Sequence, residues 1–189
     1  MQVHQLSVNY EQAQDRILAR INTTTGEELR VWLTRRLCLN LWPSLNKAVA
    51  EFVLQKKSPT DQVATPMGHA DDTTRQMMAD FERQDSLKNA DFKTPYKAQP
   101  TLLPLGPEPL VVAQMKLNTL ASGLLQFDFK EKLPGQAPRG FQLGMAEQTL
   151  HGFVHLLDKA LSRAGWHGDA TGSTRAASAI DDEKPKYLN

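Results

Sequence analysis

One pattern occurs twice in this chain: a hairpin-rich, period-two stretch followed by an amphipathic helix. Residues 1–56 and 110–166 both read as three short strands and one helix. A strand face and a helical stripe of this length cannot both be buried inside a unit of some 55 residues. The pattern therefore constrains the fold to two units sharing one core.

In the first unit, Leu6 and Val8 share a face of a strand running from Val3. Ile17, Ala19 and Ile21 then alternate with Arg16, Leu18 and Arg20, which is the two-residue repeat of a half-buried strand. The run TTTGEE supplies a turn with Gly26 at its tip, where positive φ costs glycine little. Leu29, Val31 and Leu33 resume the apolar face, with Arg30 and Trp32 opposing it. Period two stops at Thr34, a suitable N-cap. Leu37, Leu41, Leu45, Val49 and Phe52 follow at helical spacing. Pro43 conflicts with that helix and predicts a kink or a fresh helix start.

The second unit repeats the order. Val111, Ala113, Met115 and Leu117 predict a strand, Leu125, Phe127 and Phe129 another, and Phe141 and Leu143 a third. Leu150, Phe153, Leu157 and Leu161 stripe a helix ending near Gly165. The stripes align at one offset, Leu41 with Phe153, Leu45 with Leu157 and Val49 with Leu161, as a duplication would produce. The expected fold is α+β: internally duplicated βββα units, pseudo-twofold, with an antiparallel sheet of about six strands and two main helices.

Between the units, residues 57–109 form a linker. Its first part is polar and aperiodic. A helix is expected over 71–88, with Asp72 or Thr73 as cap and Met77, Met78, Phe81 and Leu87 as a loose stripe. The run TPYKAQPTLLPLGPEP carries five prolines and reads as extended. Residues 167–189 are small and polar, which predicts a flexible tail.

With 22 basic and 21 acidic residues the net charge is +1, so the chain as a whole has no electrostatic pull toward polyanions. No apolar run reaches the roughly 18 residues of a spanning helix, and no membrane partner is expected. The single cysteine, Cys38, excludes an intrachain disulfide, and a reducing cytoplasm is the simplest compartment.

Nucleophile-elbow, P-loop and dinucleotide-binding motifs are absent, and so is any recognisable metal-ligand set. His151 and His155 have the i, i+4 spacing of a metal pair. The run HGFVH lacks the glutamate of HExxH, and the pair is expected at the rim of the apolar stripe. Cys38, in an apolar helix start without a histidine partner, reads as a buried thiol. These readings predict a non-enzymatic module without cofactor or metal.

The constellation of interest is Arg16, Leu18, Arg20, Arg30 and Trp32 on the outward face of the first hairpin, continued by Arg35 and Arg36 at the helix start. Residues 1–57 hold 8 basic and 5 acidic groups, a net of +3. Trp and Arg dominate protein-interface hot spots. An aromatic among arginines on a sheet equally suits base stacking and phosphate contact. An ordinary solvated face, with Arg20 and Arg30 paired to Glu27 or Glu28, accounts for the same residues. The second unit has Gln126, Asp128 and Gln142 at the corresponding face.

Hairpins followed by a helix, present twice, resemble the helix-on-sheet organisation of Whirly and PC4-type single-stranded nucleic-acid-binding proteins. The chain departs from them in having three strands per unit and no KGKAAL segment. The resemblance implies single-strand binding across the sheet and assigns no individual residue. The sequence reading is thus a cytoplasmic binding or adaptor module with a protein partner, with single-stranded nucleic acid as the alternative.

Overall fold

The first hairpin shows how the sequence builds this molecule. In the computed structural model, which describes residues 3–57 (side chains through 52), 102–166 and isolated positions between 73 and 96, β2 (Arg16–Thr23) and β3 (Glu28–Thr34) pair antiparallel with Ile17 opposite Leu33 and Ile21 opposite Leu29. Their turn is closed by the Thr23 N–H donating to the Glu27 carbonyl at 2.9 Å. Gly26 has φ +82°, and the Thr23 and Thr25 hydroxyls both bond the Glu27 carboxylate. β1 (Val3–Glu11) pairs antiparallel on the other side of β2. A 3₁₀ turn (Gln12–Gln14) and a left-handed Asp15, whose carboxylate accepts the Tyr10 hydroxyl at 2.8 Å, join β1 to β2.

The Thr34 hydroxyl accepts the Leu37 N–H at 3.3 Å, the expected cap of α1 (Arg35–Lys57). Pro43 lies inside this helix, which runs on without a second start. Cys38, Leu41, Leu45, Val49 and Phe52 form its buried stripe.

The second unit adds β5 (Gln114–Thr119), β6 (Leu125–Glu131) and β7 (Arg139–Met145), then α2 (Glu147–Ala164). Gly165, at φ +64°, terminates α2 in the left-handed region, and the Trp166 N–H returns to the Leu161 carbonyl at 3.0 Å. Phe127 meets Phe153 edge-on at 5.5 Å, and Phe129 stacks on Phe141 at 4.7 Å.

The expected single sheet of about six strands is instead two sheets. One has the order β1-β2-β3-β4 and the other β5-β6-β7, with β4 being Leu110–Val111. The single strand read over 111–117 breaks at Val112 and Ala113. β4 runs parallel to β3, pairing Leu110 with Val31 and Val111 with Trp32. The Val112 N–H donates to the Trp32 carbonyl, and the next N–H, that of Ala113, donates to the Lys130 carbonyl. One segment, bending at Ala113, thus serves two sheets, since every backbone donor along it needs a partner.

Glu131 fastens this junction. It is 4% exposed, accepts the Val111 N–H at 2.7 Å and accepts Arg139 Nε at 2.7 Å. Each helix packs against a strand from the other part of the chain: α2 on β1, and α1 on β5 as well as on its own β3. Both units contribute to one hydrophobic cluster, from Ile17 and Leu45 to Phe127 and Leu157. Among the described residues, no helix is long and apolar enough to cross a membrane.

The expected tail at 167–189 and most of the linker lie outside the described residues. Thr73, Met77, Phe81, Gln84, Asp85, Leu87 and Lys88 are described, and all have helical backbone.

Candidate interaction face

Strand register decides which side chains share a face. Arg20 lies directly opposite Arg30, Leu18 opposite Trp32, and Arg16 opposite Thr34. Because Ile17, Ala19, Ile21, Val31 and Leu33 fill the core, the alternation puts Arg16, Leu18, Arg20, Arg30 and Trp32 together on the other face. β1 extends the rows, with Ser7 opposite Arg20, Asn9 opposite Leu18 and Glu11 opposite Arg16. Arg35 and Arg36 are exposed at the start of α1.

This face is neither bare nor uniformly positive. Leu18, expected to point into solvent, is 7% exposed. It sits between Arg16 and Arg20 on its strand and opposite Trp32. Arg16, Arg20, Arg30 and Trp32 are half-buried. Two like charges directly opposite across a strand pair are unfavourable, and Arg20 with Arg30 is such a pair. Glu28 offsets this: one oxygen lies 3.5 Å from Arg30 Nε, as the sequence reading of an ordinary paired face anticipated. Arg16, Arg20 and Arg30 against Glu11 and Glu28 leave three positive and two negative groups, a net of +1.

Two residues of this region, Asn22 and Tyr96, escaped the sequence reading. Asn22, like its cross-strand neighbour Glu28, continues the outward alternation beyond Arg20 and Arg30, so the two-residue repeat would have found it. Tyr96 carries no such signal. It lies in the proline-containing linker, yet its hydroxyl donates to Asn22 Oδ1 at 2.7 Å and approaches Glu28 Oε2 at 3.1 Å. The contact spans 74 residues of sequence to Asn22.

The corresponding face of the second unit is polar. Asp128 lies opposite Gln142, Lys130 Nζ is 3.3 Å from Asp128, and Gln126 Nε2 donates to Gln142 at 3.3 Å.

Elsewhere, Met77 and Phe81, one helical turn apart, are each 68% exposed. An open groove of about 460 Å³ lies between α1 and β5, with Leu37, Leu41, Met115 and Leu117 among its walls. Cys38 is buried as expected, and burial pushes its thiol up to about 12, the reverse of what a nucleophile requires.

The histidine expectation is corrected. His151 is fully buried rather than at the rim, while His155 is half-buried. The inward stripe of α2 is wider than Leu150, Phe153 and Leu157 alone imply. Val154 is also buried, and His151 lies one turn before it. No three His, Cys, Asp or Glu side chains converge as metal ligands among the described residues.

Comparison with protein-family models, curated proteins and solved structures gives no match.

Proposed function

We propose that the chain is a non-enzymatic binding or adaptor module of the cytoplasm, and that its partner is a protein. The partner engages the outward face of β2 and β3 through Arg16, Leu18, Arg20, Arg30 and Trp32, flanked by Arg35 and Arg36. The observation that carries this choice is the interleaving of charges. Glu11 opposite Arg16 and Glu28 beside Arg30 break the positive field that a phosphate backbone would follow. A protein surface with its own mixed charges fits such a mosaic, and half-buried Trp and Arg side chains are the residue types that anchor protein interfaces. Exposed Met77 and Phe81 offer a second apolar contact of the kind a partner groove takes up.

We read the two units as an internal duplication arranged about a pseudo-twofold axis and forming one compact domain. The support is the three antiparallel strands and a helix in β1-β2-β3-α1 and again in β5-β6-β7-α2, with β4 set apart as an edge of the first sheet, and the seating of α2 on β1 and of α1 on β5. The basic face belongs to the first unit alone.

The test is affinity purification of the native protein beside Trp32→Ala. A central hot-spot truncation costs about 2 kcal/mol or more, roughly 30-fold in affinity. At least one protein retained by the wild type is expected to be lost from the variant. Identical retained sets, or turnover in a broad hydrolase and transferase panel, would overturn the proposal. The alternative, single-stranded nucleic-acid binding, draws on the stacking capacity of Trp32 among arginines. It requires oligonucleotide affinity that falls steeply with salt, and a flat titration at low salt dismisses it.

A further inference from the structure

Tyr96 reaches the outward face from a distant part of the chain, and its contacts there are specific. One phenolic proton is shared between Asn22 Oδ1 at 2.7 Å and Glu28 Oε2 at 3.1 Å. Both acceptors are buried, Asn22 8% and Glu28 4% exposed. Buried acceptors lose most when a donor is withdrawn, so the pair favours a donor in this position.

The arginines belong to the same cluster. Glu28 also holds Arg30, and Arg30 faces Arg20 across the strands. Burial, followed by the Glu28 charge, raises the Tyr96 phenol above its ordinary value, while Arg20 and Arg30 pull the other way. Six residues downstream the Leu102 carbonyl accepts the Glu28 N–H at 2.9 Å. The chain is therefore fixed beside Glu28 whether or not Tyr96 stays seated.

We propose that Tyr96 is a removable latch, seated on Asn22 and Glu28, that shields the Arg20 and Arg30 end of the face until a partner displaces it. This rests on the reading of that face as a binding surface and adds a preference to it. A displacing segment that bears a lysine, arginine or tyrosine side chain restores a donor to Asn22 and Glu28, whereas a carboxylate-rich segment offers none and brings like charge to Glu28.

Phenylglyoxal modification of the full-length protein, followed arginine by arginine by mass spectrometry, reads the latch directly. Tyr96→Phe keeps the ring and removes the shared proton. A hydrogen bond to a charged group is worth enough to change the open population about tenfold. Arg20 and Arg30 are expected to react about tenfold faster in the variant, with Arg16, at the far end of the face, unchanged. Unaltered rates at Arg20 and Arg30 in both Tyr96→Phe and Tyr96→Ala would overturn the latch. So would an equal rise at all three arginines, which would report general loosening. The reagent needs no partner, so the latch can fail here while the binding reading stands. Loss of the Trp32→Ala effect would remove the displacing partner and leave only the shielding of Arg20 and Arg30 by Tyr96, which the reagent reads separately.

Discussion

Glu131 accepts from the backbone of β4 and from Arg139 on β7 while itself lying on β6. A carboxylate removed from water is costly unless its oxygens are satisfied, and here one oxygen takes the Val111 N–H and the other the Arg139 guanidinium. The second sheet is thereby tied to the segment that edges the first. Glu131→Ala strands the Val111 donor and leaves Arg139 without its anchor. The expected loss is about 3 kcal/mol, measured as a lower urea midpoint with unchanged slope. A loss under about 0.5 kcal/mol, the ordinary scatter of surface substitutions, would show that water replaces the carboxylate and that the junction does not depend on it. At this scale the sequence was partly readable. The alternation that placed Arg20 and Trp32 on one face depends only on chain geometry. The roles of Glu131 and Tyr96 depend on partners distant in sequence, which local periodicity does not encode.

The helices show propensity and packing in conflict. Pro43 lacks the N–H that would bond the Leu39 carbonyl, and its ring crowds the preceding turn. The α1 helix nevertheless continues, because Leu41 and Leu45 on either side are buried at 7% and 0% exposure and fully burying a leucine contributes about 1.5–3 kcal/mol. The Thr34 cap adds roughly 1 kcal/mol. Pro43 is itself exposed, so its replacement removes no core contact. Pro43→Ala is expected to raise stability by about 1–3 kcal/mol, seen as a higher melting temperature with more helical ellipticity. A lower melting temperature would mean that the proline sets a bend on which the seating of α1 against β5 depends. The helical stripes were legible because their 3.6-residue period is strong. The break in the 111–117 strand was not, because the chain bends at Ala113 and successive N–H groups there change the strand to which they bond.

The two halves of the chain are joined by exchange. α2 follows β7 in sequence but rests on β1, and α1 follows β3 but reaches β5. Leu45, 0% exposed, and Leu157, 1% exposed, lie in the same hydrophobic cluster. A unit of this size alone would leave its helix stripe or its sheet face in water, and small units bury too little apolar surface to offset chain entropy. Unfolding is therefore expected to be one transition. Tryptophan fluorescence, reporting from Trp32, Trp42 and Trp166, should coincide with far-ultraviolet ellipticity across a urea titration. Leu157→Ala carries the stronger test, since truncating a buried leucine costs about 2–5 kcal/mol. If the halves are one cooperative body, that substitution in α2 lowers amide-exchange protection in β2 and β3 as much as in β6. Loss confined to residues 110–166, or two separated urea transitions, would mean that the shared cluster does not couple the units.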